Sequence, residues 1–343
     1  MHAGYDGLLL DLDGTVYRGQ EAIPGAAAAI SGLREAGIGI GFVTNNASRA
    51  PRRIAEHLAS LDIEVTDDEV VTSAQAGAAV LADRLASGSD VLVVGTDALA
   101  AEVQALGLTP VRAADAGPAG VVQGHSPETG WRQLAEACLA IRAGSLWVAC
   151  NVDPTLPTER GQVVGNGALV VALRAATGAE PVVAGKPARP LVEAAVARLG
   201  ARHPLMIGDR LDTDIAAADG LMDSLLVLTG VTDAAELLAA PVGQRPTFVG
   251  VDLTALAQDP EVLRVGARPG WRCTITDVAL VLHGDTAEPG TPQDALRTLC
   301  HHWWAAAGGV PTVTAADDTA AAALAAMGLA GPGPRGAPDL LVG

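Results

Sequence analysis

The run Gly7-Leu8-Leu9-Leu10 stops at Asp11-Leu12-Asp13-Gly14-Thr15, and that junction restricts the fold more than any other feature of the chain. Three consecutive leucines do not alternate between core and water, so they read as a strand buried on both faces, as in a parallel sheet. The polar, glycine-containing turn then sets two carboxylates one residue apart at the strand's carboxyl end. In open α/β sheets that is the edge where ligands bind.

The pattern recurs three times. Gly39-Ile40-Gly41-Phe42-Val43 leads to Thr44-Asn45-Asn46. Val182-Val183-Ala184-Gly185 leads to Lys186-Pro187. Leu205-Met206-Ile207-Gly208 leads to Asp209, with Asp212 and Asp214 just behind it. The expectation is an α/β fold with all the candidate chemistry on one rim of one sheet.

The separation of Thr44 from Lys186 far exceeds the roughly 30 residues that one strand–helix–strand return requires, so a second unit is expected to be inserted there. The insert, 78–180, has its own rhythm: strands at Val91–Val94, Gly120–Val122 and Leu146–Cys150, and helices near Asp97–Leu106 and Glu128–Arg142. A long loop from Asn151-Val152-Asp153-Pro154 to Gly165-Asn166-Gly167 reads as the tip of a lid. The core, expected over 1–77 and 181–260, resumes with a helix over Pro190–Leu199 and a helix opened by Thr213-Asp214. Leu225–Leu228 and Phe248-Val249 read as its edge strands. From about Val262 the pattern restarts as a small third α/β unit, 262–343. Trp271–Leu282 is strand-like, Pro292–Ala306 helical, Val310–Val313 a strand and Thr319–Met327 a helix. Gly331-Pro332-Gly333-Pro334 reads as a turn and Asp339–Val342 as a last strand.

At 343 residues, with 49% hydrophobic and 18% charged side chains, the chain has apolar material for several cores. A net charge of −17 argues against a nucleic-acid or anionic-membrane surface. No stretch reaches the roughly 18 apolar residues of a membrane span. Cys138, Cys150, Cys273 and Cys300 form no close pair and read as buried hydrophobes in a reducing compartment. A cytoplasmic protein that acts on a small molecule is expected, with a homodimer possible.

The strand-end residues suit phosphate-ester chemistry. A carboxylate nucleophile at Asp11 divides hydrolysis into two steps through a phosphoaspartyl intermediate. Asp13, two residues further along the turn, would protonate the leaving oxygen and then deprotonate the attacking water. Asp13-Gly14 alone would equally suit a plain turn. Asp209 beside Asp11 would bring together two like charges, a cluster that persists only with a cation or bound protons. Oxygen ligands with room for phosphate and water favour Mg²⁺. The expected ligands are Asp11, the Asp13 backbone carbonyl and Asp209, with Asp214 behind them. Lys186 is the single lysine among 22 Lys and Arg residues, which points to a site that needs a compact ammonium rather than a planar fork. Thr44 and Asn45 would supply a hydroxyl and an amide or backbone N–H to the phosphoryl oxygens. Asn46, Asn151 and Asp153 complete the candidate substrate-binding set.

Taken in order, Asp11-Leu12-Asp13-Gly14-Thr15, Thr44-Asn45, Lys186-Pro187 and Gly208-Asp209-Arg210-Leu211-Asp212-Thr213-Asp214-Ile215 resemble the four motifs of haloacid-dehalogenase-superfamily phosphatases. The insert resembles the C2-type cap of their NagD/para-nitrophenylphosphatase branch, and the similarity as a whole covers about residues 5–260. The resemblance implies a Rossmann-like core, Mg²⁺ and a phosphoaspartyl intermediate, with roles at Asp11, Asp13, Thr44, Asn45, Lys186 and Asp209. A branch with a C-terminal extension resembles bacterial glycerol 3-phosphate phosphatases, whose tail is similar to part of a GNAT acyltransferase. Here the tail lacks the R/Q-x-x-G-x-G/A loop that acetyl-CoA binding would want. Cys150-Asn151 and Gly165-Asn166-Gly167 depart from the usual Thr-Asn and Gly-Ala-Gly, which bears on the substrate. Glycerol 3-phosphate is expected first, with 2-phosphoglycolate or a broader set of sugar and nucleotide monophosphates as alternatives. A non-enzymatic phospho-receiver also gathers Asp, Thr and Lys on strand ends, but in a different motif order.

Overall fold

Six parallel strands form the sheet that the leucine run anticipates. Their order across the sheet is Phe248–Gly250, Asp223–Val227, Pro204–Gly208, Gly7–Leu10, Gly39–Thr44 and Val70–Thr72. The computed structural model describes residues 4–329 apart from 159, 277–278, 286, 289 and 307–308; the expected turn at 331–334 and last strand at 339–342 lie outside the described residues.

The leucine run sits at the centre of this sheet, and its two-residue period divides it between two cores. Leu8 and Leu10 pack with Phe42 and Ile207 under the helices Ala26–Glu35 and Pro51–Ala59, through Ile30, Leu33, Ile54 and Leu58. Leu9 turns to the other face with Val43, Val71 and Met206. There the apolar cluster runs without a break into the insert, through Val91, Val93, Val122 and Val148. The helices Ser73–Ala82 and Arg189–Leu199 lie between, contributing Ala78, Leu81, Leu191 and Val192. The expected boundary at 77/78 therefore falls inside a helix.

The insert forms its own parallel sheet, in the order Val182–Val183, Leu146–Ala149, Gly120–Gln123, Asp90–Val94 and Thr109–Val111. This corrects the expectation of one rim on one sheet. Val182 and Val183 pair with Val148 and Ala149 of the insert, not with the core. Only two residues long, that strand carries no periodic signal of which sheet it joins.

Four smaller expectations also change. Asp223–Val227 is an interior strand, since Phe248–Gly250 lies outside it. The lid-tip loop contains an antiparallel hairpin, Thr155–Thr158 with Gly161–Val164. Trp271–Leu282 divides into two antiparallel strands, Trp271–Ile275 and Leu280–Gly284. The strand read at Val310–Val313 begins only at Val313; Val310 is 88% exposed and Pro311 has no N–H to give a ladder.

The tail is continuous with the core. Its helix Pro292–Ala306 lies against the short helix Ala234–Leu238, and both bury apolar side chains with Leu226 and Val249 of the six-stranded sheet. Arg297 pins this contact. Two of its nitrogens donate to the Val249 carbonyl at 3.1 and 2.6 Å, and a third pairs with Asp294 at 2.8 Å. Replacing this buried guanidinium strands the carbonyl, so Arg297→Leu is expected to lose about 2–3 kcal/mol, read from the urea midpoint. An unchanged midpoint would mean that apolar contact alone docks the tail.

Candidate active site

Three neighbouring strands of the six-stranded sheet end at the same level. Asp11 follows Leu10, with its N–H donating to the Ile207 carbonyl at 2.9 Å; Asp209 follows Gly208; Thr44 closes the third strand. Lys186 arrives from the insert's sheet, guided by the Ala184 N–H bonded to the Ala149 carbonyl at 2.9 Å. Its ammonium is the keystone. It donates to Asp11 Oδ1 at 2.5 Å and the Val43 carbonyl at 3.0 Å, and lies 2.7 Å from Asp214 Oδ1. Lys186 is 1% exposed.

Asp214 belongs to a π-helical turn, Leu211–Ile215, and its Oδ2 accepts from the Arg210 N–H at 3.1 Å. Asp209 Oδ2 accepts from the Val231 N–H at 2.7 Å. The carboxylate reaches that position between two glycines: Gly14, at φ +88°, and Gly230 both come so close that a Cβ on either would collide with it.

The asparagine side chains make bonds within the protein. Asn45 Oδ1 accepts from the Lys186 N–H at 2.8 Å, while Nδ2 donates to the Lys186 carbonyl at 2.9 Å and to Asp153 Oδ2 at 3.1 Å. The side chain clasps the loop that presents the lysine, so of the two donors expected of Asn45 only its backbone N–H is left for a ligand. Asn46 Oδ1 accepts from the Ser48 N–H and hydroxyl at 2.8 and 2.9 Å. Asn151 Nδ2 donates to the Asn45 carbonyl at 2.7 Å. Both are braces. Thr44 Oγ1 accepts from the Asn46 N–H at 3.1 Å and still has its own proton to donate.

Asp13 stands apart from the lysine, with its side chain exposed at the mouth. Desolvation by the surrounding protein raises its carboxyl above the usual range, against the pull of Arg49 and His57, and the Tyr17 hydroxyl bonds to it. Tyr17 and Arg49 were not anticipated from sequence. Nor was the Thr229–Val231 loop, although Leu225–Leu228 leads into it as the other runs lead into their sites.

Asp11, Asp209 and Asp214 bring carboxylate oxygens within 4.8 Å of one another. Burial, then Asp214, raises Asp11 well above an ordinary carboxylate, although Lys186 opposes this. Burial, aided by Asp214, pushes Asp209 up to about 6. Three buried carboxylates face one ammonium, and Asp209 Oδ1 has no hydrogen-bond partner among the described residues. Hard oxygen donors with a surplus of negative charge fit a divalent cation.

Residues 8–109 match the family described as haloacid dehalogenase-like hydrolase, 183–256 a second HAD-hydrolase-like family, and 268–329 the GCN5-related N-acetyltransferase like domain. The chain belongs to the haloacid dehalogenase-like hydrolases. It is 53% identical over 272 residues to the D-glycerol 3-phosphate phosphatase of Mycobacterium tuberculosis, covering 79% of this chain and 76% of the relative. The crystal structure of the glycerol phosphate phosphatase of that organism in complex with magnesium matches with a TM-score of 0.91 and 48% identity, over 95% of this chain and 98% of that one. A p-nitrophenyl phosphatase from Archaeoglobus fulgidus matches with a TM-score of 0.67 and 30% identity, over 73% and 97%. With these relatives and this family, the chain is a phosphoric monoester hydrolase.

The Asp209 environment has a measurable consequence without metal. Its folded pKa, about 6, lies above the ordinary 3.8, so the folded state holds the proton more tightly. That stabilisation is complete below about pH 4 and disappears as pH rises through 6. By pH 7.5 the ionised group is a burden on the order of 3 kcal/mol. In EDTA at pH 7.5, Asp209→Asn is expected to melt above the wild type, and Mg²⁺ to raise the Tm of the wild type alone. A variant that still gained Tm with Mg²⁺ would remove Asp209 from the metal site.

Proposed function

We propose that this phosphatase hydrolyses glycerol 3-phosphate to glycerol and phosphate, with Mg²⁺, through a phosphoaspartyl intermediate on Asp11. The observation that carries the mechanism is the buried line Asp11–Lys186–Asp214 beside the Asp209 oxygen that has no hydrogen-bond partner among the described residues. The choice of substrate rests on the D-glycerol 3-phosphate phosphatase relative.

Asp11, Asp209 and the Asp13 carbonyl would hold the ion, with Asp214 behind them. When bound, Mg²⁺ supplies positive charge at the phosphoryl oxygens. The chain's own groups do the rest. Lys186 holds Asp11 Oδ1 and opposes the upward pull of burial on that carboxyl, leaving Oδ2 as the oxygen that would attack phosphorus. As the Asp11–phosphorus bond forms and the ester bond breaks, Asp13 gives its proton to the leaving alkoxide. The upward shift of the Asp13 carboxyl is in the direction that a proton donor needs. Water then attacks the phosphoaspartate, Asp13 takes the proton back, and Asp11 is regenerated with release of phosphate. Thr44 Oγ1 and the Asn45 N–H orient the phosphoryl oxygens. The chain is read as cytoplasmic and as acting on small molecules rather than nucleic acid, in keeping with its charge of −17; among the described residues no helix is long and apolar enough to cross a membrane.

A panel of glycerol 3-phosphate, 2-phosphoglycolate, UMP and pyridoxal phosphate with Mg²⁺ tests the substrate, and glycerol 3-phosphate is expected to give the highest kcat/KM. A higher value for UMP would favour the alternative suggested by the 5'-nucleotidase YutF of Bacillus subtilis, 40% identical over 232 residues. Asp11→Asn is expected to abolish turnover, and activity within about tenfold of wild type would refute covalent catalysis. Asp13→Asn is expected to slow kcat by about 10²- to 10⁴-fold while Mg²⁺ still raises the Tm, because its backbone carbonyl rather than its carboxylate would be the ligand.

A further inference from the structure

The C-terminal unit reaches the acidic cluster through a chain of contacts. The helix Ala234–Leu238 has only five residues, too few to hold itself without tertiary support. The tail supplies that support. Trp304 Nε1 donates to the Leu238 carbonyl at 3.2 Å, and Leu237 and Leu238 share one buried cluster with Leu296 and Leu299. Arg245 fixes Trp304 in turn: its guanidinium donates to the Trp304 carbonyl at 3.1 Å and lies 5.4 Å from the ring centroid.

At its other end the short helix continues back into the loop Thr229–Thr232, which holds the site. The Val231 N–H binds Asp209 Oδ2 at 2.7 Å, the Thr232 N–H binds the Asp209 carbonyl at 3.2 Å, and the Thr229 hydroxyl binds the Gly14 carbonyl at 2.6 Å. Leu211 and Ile215, on the turn that bears Asp214, join the same buried cluster. The tail thus supports both carboxylates that flank Asp11, at the loop and at the turn.

We propose that the C-terminal unit positions the Asp209 ligand and the Asp214 carboxylate behind it, and that Trp304 is a positioning residue acting on Asp209 through the helix Ala234–Leu238. The Val231 N–H holds Oδ2 and Oδ1 has no hydrogen-bond partner among the described residues, so a shift of the short helix would rotate the ligand rather than remove it. The tail's contribution is geometry, not acyl chemistry. The proposal rests on the Mg²⁺ reading of the site.

The test is calorimetric titration of Mg²⁺ into the full-length, metal-stripped protein without substrate. Groups that orient metal ligands typically change affinity by 10- to 100-fold; acting one step further out, Trp304→Ala is expected to weaken Mg²⁺ binding by about fivefold or more. At saturating Mg²⁺, kcat and the KM for glycerol 3-phosphate are expected to stay within about twofold of wild type. Trp304→Phe keeps most of the ring and loses only the donor, and is expected to lie between the two; it decides the matter if the alanine variant does not fold. A lowered Tm with Mg²⁺ affinity within about twofold of wild type in the folded variants would overturn the proposal and leave the tail a stabilising element. A wild type that bound no Mg²⁺ would instead overturn the metal reading, and this proposal with it.

Discussion

A single ammonium group between two carboxylates, shut away from water, sets the terms for the whole molecule. Burying one charge is prohibitive unless partners surround it, and the partners of Lys186 come from three directions: Asp11 and Val43 from two core strands, and Asp214 from the turn beyond a third. The strands must therefore end at one level, and the loop that carries the lysine must be held rigidly. Asn45 does the holding, by bonding both the N–H and the carbonyl of the residue it presents. The Arg-rich composition makes sense here as well. A guanidinium would present a broad planar fork to a slot that accepts three short bonds around one nitrogen.

Much of this was legible in the sequence because it is local. Apolar runs that stop at Asp, Thr or Asp-rich turns report strand ends directly, and Asp11, Thr44 and Asp209 lie where those runs placed them. The uniqueness of Lys186 pointed to a site that needs a compact ammonium, and its burial came from the structure. What failed was pairing over distance. Val182-Val183 looked like the other runs, but a two-residue strand does not encode its neighbour, and it joined the insert. The bonds of the asparagines were not legible for a related reason. An Asn side chain offers a donor and an acceptor, and whether it serves a ligand or a backbone depends on what folding brings beside it. Asn45, Asn46 and Asn151 all found backbone partners.

The tail shows the same limit at the scale of a domain. Several of its described strands and helices could be roughly placed from the chain, yet nothing in their sequence announces that their apolar face packs on the core. The reason lies in the core, where the helix Ala234–Leu238 is too short to cover Leu226 and Val249. The C-terminal helix Pro292–Ala306 provides the missing cover, and a region similar to an N-acetyltransferase-like domain is thereby built into a phosphatase fold.

The pairing of Val182-Val183 with the insert's sheet also bears on how such enzymes diversify. Inserted units are commonly imagined as interchangeable cassettes, traded between scaffolds to give new specificities. In this architecture a cassette cut at the apparent end of the insert would strip the lysine-bearing segment of its partner strand. Recombination that kept the chemistry would have to carry Val182 through Lys186 along with the transplanted sheet, so the heritable module is the insert plus the charge that it delivers.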